Sequence, residues 1–128
     1  MSIKLEWIED GGWEGGSLLL FWGGSVADVS SFLAVFESLA ARSGVRVVLH
    51  ELPFIEPSLD LKVIALSGTH TSGVMRHDGC LEWRQSPAEW DNAAGLLEPF
   101  AKGKDHGGFQ FLSRVESAEV IYSIRRSW

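Results

Sequence analysis

Cysteine is almost missing from this chain: Cys80 stands alone among 128 residues. A single thiol forms no internal disulfide and cannot build a thiolate-rich metal site, so a reducing, intracellular location is the default expectation. Long apolar runs are missing too. The longest, such as Leu18 to Trp22, are far too short to span a bilayer. The start, Met1-Ser2-Ile3-Lys4-Leu5-Glu6, lacks the basic residues and continuous apolar stretch of a signal peptide. These absences together predict a cytoplasmic protein with no membrane association.

Cations are scarce in the first half. Residues 1–60 hold Lys4, Arg42 and Arg46 against nine carboxylates, a net charge of −6, whereas residues 61–128 hold eight of each sign and sum to zero. An acidic half disfavours nucleic acid, whose affinity rests on cationic contacts to phosphate. It is compatible with a basic protein partner through electrostatic steering. A solvated acidic face that keeps the protein soluble is the plainer account of the same charges.

Catalytic motifs are absent as well. Gly11-Gly12-Trp13-Glu14-Gly15-Gly16 does not match GxGxxG, leads into no helix, and has no following lysine as in a P-loop. Glu9, Asp10 and Glu14 would repel a pyrophosphate there, so turn chemistry explains the glycines better. His50, His70, His77 and His106 have no metal-ligand spacing, and the adjacent His50 and Glu51 would point to opposite faces of a strand. There is no GxSxG elbow, no SxxK and no motif marking a glycosidase carboxylate pair. Cys80 has His77 as its expected cross-strand neighbour, but a surface turn supplies neither a water-excluding pocket nor an oxyanion donor. The residues predict no cofactor, no metal and no catalytic site.

What is present supports a folded globule: 45% apolar residues, six tryptophans and seven phenylalanines. The length suits one domain over residues 1–128 with a real core. No repeat, low-complexity tract or linker divides it. Ile3, Leu5 and Trp7 alternate with Lys4 and Glu6 as a half-buried strand. A glycine-rich connection follows, then Leu18 to Trp22, apolar on both faces as in a central strand. Ser25 with Asp28 starts a helix whose stripe is Val26, Val29, Phe32, Leu33, Phe36, Leu39 and Ala40, with Gly44 as its cap.

Val45 to Leu52 reads as a strand, Pro53 and Pro57 bracket a loop carrying Phe54 and Ile55, and Leu61 to Leu66 reads as another strand apolar on both faces. Val74 to His77, Asp78-Gly79 and Cys80 to Arg84 form a hairpin with a type I′ turn. Ser86-Pro87 with Glu89 is a capping box with proline at the first helical position. The helix it opens carries Trp90, Ala93, Ala94, Leu97 and Phe100. Pro99 should end or kink it. Phe109 to Ser113 and Val120 to Arg125 complete the order ββα-ββββ-α-ββ. Strands come in adjacent runs, which predicts an α+β fold: a mainly antiparallel sheet of roughly six to eight strands with both helices packed on it. Leu18–Trp22 and Leu61–Leu66 should be interior strands.

Two clusters bear on function. Five of the six tryptophans fall on predicted elements or at a strand end, where core packing is the default; Trp13 instead sits at the tip of the acidic loop. Glu9, Asp10, Trp13 and Glu14 thus form the candidate partner-binding patch, an aromatic anchor ringed by carboxylates, the alternative being that Trp13 folds back onto its own sheet. The second cluster is Trp83-Arg84-Gln85-Ser86-Pro87-Ala88-Glu89-Trp90, Leu96-Leu97-Glu98-Pro99-Phe100, Gly108-Phe109-Gln110-Phe111-Leu112 and Ala118-Glu119-Val120-Ile121-Tyr122-Ser123. This pattern resembles the C-terminal half of small uncharacterised bacterial proteins, some similar to immunity proteins of polymorphic-toxin systems. Those often carry Gly-His-Gln where this chain has Gly108-Phe109-Gln110.

The resemblance implies a toxin inhibitor with no catalytic residue. Three classes follow for the chain: a non-catalytic protein-binding domain, a small-molecule-binding domain or enzyme with a pocket between sheet and helices, and a structural module such as a homodimer.

Overall fold

Both helices begin where side chains satisfy their own first turn. In the computed structural model, which describes residues 2–9, 16–68, 71–104, 108–115 and 118–126, helix α1 spans Val26–Ala41 and α2 spans Pro87–Ala101. The Asp28 N–H donates to Ser25 Oγ at 3.1 Å and the Ser25 N–H to the Asp28 carboxylate at 2.9 Å. Ser86 and Glu89 repeat the exchange with the same two distances. These reciprocal bonds satisfy donors that the helix cannot. Pro99 lies inside α2, which stops at Ala101, two residues beyond it.

The expected α+β class is observed, but the strands form two mixed sheets instead of one mainly antiparallel sheet. The strands are β1 (Ile3–Ile8), β2 (Ser17–Gly23), β3 (Arg46–Val48), β4 (Ile55–Pro57), β5 (Val63–Ser67), β6 (Gly73–His77), β7 (Cys80–Gln85), β8 (Phe109–Val115) and β9 (Ala118–Ser123). One sheet runs β4-β1-β2-β9-β8 and the other β3-β5-β7-β6. Three of their seven pairings are parallel: β1 with β4, β2 with β9 and β5 with β7.

Alternation of apolar residues reports which face of a strand is buried and carries no information on its neighbour's direction. That is why the parallel pairs were not legible. Strand β4, which brings the described strands to nine, lies in the segment read as a loop between Pro53 and Pro57. Its register with β1, Ile3 beside Ile55 and Leu5 beside Pro57, is set by tertiary pairing and not by local propensity. As expected, β2 and β5 are interior strands.

The topology also contains a duplication. Hairpin β1–β2, helix α1 and the antiparallel pair β3–β5 form one unit; hairpin β6–β7, helix α2 and hairpin β8–β9 form the other. Each helix carries the chain from one sheet to the other, and each sheet joins the two units through one parallel pair, β2–β9 or β7–β5. Strand β4 is the addition. Buried residues fall at matching distances from the two helix caps: Val29, Phe32, Phe36 and Leu39 after Ser25, and Trp90, Ala93, Leu97 and Phe100 after Ser86. Side-chain size differs at most of these places, so no repeat shows in the sequence.

The core lies where both sheets and both helices meet. Phe32, Phe36, Trp90, Leu97 and Phe100 are all buried, as their helical spacing predicted. Phe21 of β2, Phe32 and Phe36 of α1, Trp90 of α2 and Trp83 of β7 form a closed circuit of rings, with successive centroids 4.8, 4.6, 5.3, 4.5 and 5.9 Å apart. Truncating Phe36 to alanine should cost about 3–5 kcal/mol in equilibrium urea unfolding. Leu59→Ala, at a side chain 93% exposed, should change stability by less than about 0.5 kcal/mol.

Candidate functional site

Strand β2 is apolar on both faces, and so the five-stranded sheet has two apolar surfaces. Leu19 and Phe21 face the main core. Leu18 and Leu20 face the other way and form a second cluster with Ile121, packed by Ile8, Trp22, Phe109 and Phe111. The register lays this outer face out in rows: Glu56, Lys4, Trp22, Ser123 and Phe109 across one end, then Glu6, Leu20, Ile121 and Phe111, then Ile8, Leu18 and Glu119. Among the described residues the cluster draws on β1, β2, β8 and β9, and its aromatic side chains are half-buried.

Glu6 organises the polar side of this face. Its carboxylate accepts the Trp22 indole N–H at 2.6 Å and both Nε and Nη2 of Arg126 at 3.1 Å. The Arg126 hydrogen bond foremost, aided by Trp22 and the Arg126 charge, holds the Glu6 pKa below the ordinary glutamate range, although burial opposes it more than Trp22 helps. Lys4 is paired with Glu56 in the adjoining row. Lys4 and Arg126 are thereby each met by a carboxylate of this chain.

Of the residues singled out in the sequence, Glu9 lies just beyond β1, its side chain 75% exposed and 3.9 Å from the exposed Arg76, a pair worth little in water. Asp10, Trp13 and Glu14 lie outside the described residues, as do His70 and His106. Cys80 and His77 do pair across the hairpin, and Asp78 and Gly79 take the positive φ values of the expected I′ turn. The His77 ring lies 3.3 Å from the Asp78 carboxylate on an exposed surface. His50 Nδ1 accepts the Val63 N–H at 3.0 Å and so serves the backbone. Among the described residues, no three histidine, cysteine or carboxylate side chains converge as a metal site. No helix there is long and apolar enough to cross a membrane.

Sequence reading missed Trp22, Phe109 and Phe111 as a surface, because aromatic residues on strands default to the core. The available signal was the two-sided apolarity of Leu18–Trp22, which requires a second apolar surface somewhere.

Clefts open elsewhere among the described residues. One, of about 230 Å³, is lined by Trp7, the 58–62 connection, Arg76, Gly79 and Leu81. Another, of about 160 Å³, lies between the start of α1, the end of α2 and the end of β9. Gly24 lines it at φ +84°, where a Cβ would come within 2.6 Å of Ile3, so glycine is required for both conformation and space. Tyr122 donates its hydroxyl to the Gly23 carbonyl at 2.8 Å. Burial, helped by the negative charge of Asp28, pushes its pKa up to about 12.

No family model, curated protein or solved structure matches this chain.

Two pH measurements test these assignments. A glutamate whose folded pKa is lowered adds stability above its unfolded pKa and loses it as pH falls through the folded value. Glu6→Gln should accordingly be less stable than the parent at neutral pH, and the gap should close under acid; urea midpoints at stepped pH read this. Tyr122 is the chain's only tyrosine, so tyrosinate absorbance reports it alone. Its midpoint should be about 12 in the folded protein, against about 10 after unfolding.

Proposed function

We propose that this chain is a non-catalytic protein-binding domain, an immunity-like inhibitor that captures a basic protein such as a toxin on the outer face of its five-stranded sheet. The observation that carries the reading is the second apolar cluster, with Trp22, Phe109 and Phe111 half-buried above Leu18, Leu20 and Ile121. Aromatic side chains on an otherwise packed platform are what protein interfaces use as anchors, because they bury much area while losing little rotamer freedom.

Charge favours a basic occupant. Residues 1–60 sum to −6, and the rim cations Lys4 and Arg126 are each paired internally. Glu9 stands exposed at the Ile8 end of the face. Asp10, Trp13 and Glu14 follow Glu9 in the sequence and add two carboxylates and an aromatic residue to that acidic stretch. A cationic partner gains encounter rate from such a field and affinity from the aromatic contacts.

The test is co-expression with the product of the neighbouring gene, followed by titration of the purified components. Phe111→Ala should raise Kd about tenfold or more with the fold intact by circular dichroism, and Trp13→Ala should raise the dissociation rate. Association should slow as salt rises. Unchanged affinity in Phe111→Ala, or salt-independent association, would reject the face. Self-association that Phe111→Asp abolishes would reassign it to a homodimer.

A further inference from the structure

The duplicated topology exposes an asymmetry between its two ends. Val29 and Trp90 hold the same place, four residues past the N-caps of equivalent helices. Trp90 fills its end completely: it is fully buried, its ring lies 4.5 Å from Trp83 and 5.3 Å from Phe36, and its indole N–H donates to the Leu66 carbonyl at 2.9 Å. Val29 is far smaller. At its end the cleft of about 160 Å³ remains, lined by Val26, Val29, Phe100, Lys104, Tyr122 and Ile124.

We propose that this cleft binds a small aryl monocarboxylate, its ring in the hollow beside Val29 and its carboxylate at Lys104. Three observations support that chemistry. The opposite end shows that the architecture accommodates an aromatic ring at this place. Phe100 and Tyr122 meet edge to face with centroids 5.1 Å apart, a surface on which a third ring packs by the same geometry. Val26 and Ile124 are two of the three exposed large apolar side chains among the described residues, and both stand on this cleft. An apolar hollow with one convergent charge is the usual form of a small-molecule site.

Lys104 is the charged residue of the lining. Among the described residues, Glu98, whose charge Lys104 also faces, is bound by Lys102 at 2.9 Å, and the Asp28 carboxylate accepts the Ser25 N–H at 2.9 Å. The Tyr122 hydroxyl is committed to Gly23. Among the described residues, a ligand carboxylate at Lys104 displaces no side-chain hydrogen bond. This site is separate from the outer sheet face, and its failure leaves the protein-docking reading intact.

The experiment is isothermal titration of the full chain with 3-phenylpropionate, 3-phenylpropanol and 3-phenylpropylamine, with amide shifts of Val26, Gly103 and Ile124 followed by NMR. The acid should bind saturably, shift those amides, and bind more tightly than the alcohol or the amine. Lys104→Gln should weaken the acid about threefold and bring it level with the alcohol. Val29→Trp should fill the hollow and weaken binding at least about tenfold. Val26→Trp, at an exposed helix position, blocks the mouth and provides the same reading should Val29→Trp fail to fold. Equal binding of all three probes, no saturable binding of the acid, or undiminished binding in both tryptophan variants would overturn the proposal.

Discussion

The circuit of rings from Phe21 through Phe32, Phe36, Trp90 and Trp83 is the contact on which the rest of this structure depends. Its members come from β2, α1, α2 and β7, so it touches both sheets and both helices at once. Each tilted or edge-on pair adds about 0.5–1.5 kcal/mol beyond the burial of area. The circuit also carries a cost. Trp83 is fully buried and its indole nitrogen has no hydrogen-bond partner among the described residues, a loss of about 1–3 kcal/mol. The packing outweighs an orphaned donor at the centre of the fold. Trp90, its neighbour in the circuit, avoids the same cost through Leu66.

What was legible in the sequence is what is decided within a few residues. The capping pairs Ser25–Asp28 and Ser86–Glu89, the stripes behind them, and the Asp78-Gly79 turn are local chemistry, and each appears in the structure. What was not legible is decided between distant segments. The alternation in β5 and β7 is the same whether they pair parallel or antiparallel, and only the hairpin that places β6 on the outside makes them parallel. The three residues of β4 have no strand signal of their own and exist as a strand because β1 offers an edge. The duplication escaped notice for a related reason: Phe32 faces Ala93 in equivalence, and Val29 faces Trp90, so shape is conserved by complementary sizes and not by repeated residues. Of the candidate patch, Glu9 lies exposed just beyond β1, and Asp10, Trp13 and Glu14 lie outside the described residues.

The outer face depends on the whole chain being in place. Strand β9 inserts between β2 and β8 and is buried along its full length. Without it, Leu18 and Leu20 lose Ile121, and Phe109 and Phe111 lose the strand that seats them. Arg126 reaches back to Glu6, 120 residues earlier, to fix the orientation of Trp22 through the shared carboxylate. Joining such distant segments is entropically costly and slow relative to local pairing. The proposed docking face is thus completed by the last strand and the turn beyond it, and a chain truncated in β9 would lack the face even if its helices formed.

The two ends of the duplicated framework fill equivalent volumes differently. At the Trp90 end a large ring fills the space, finds a hydrogen bond and completes the aromatic circuit. At the Val29 end the corresponding volume is left open, and the exposed Val26 and Ile124 remain beside it. An unfilled apolar hollow forgoes the contacts that its lining would otherwise make, so the Val29 end is less stable than its counterpart shows to be attainable. A stability optimum would place a ring there, as α2 does. Natural sequences commonly depart from that optimum where a site has a use, and the aromatic floor with a lysine at the edge is the chemistry from which an aryl carboxylate is proposed to fill the opening.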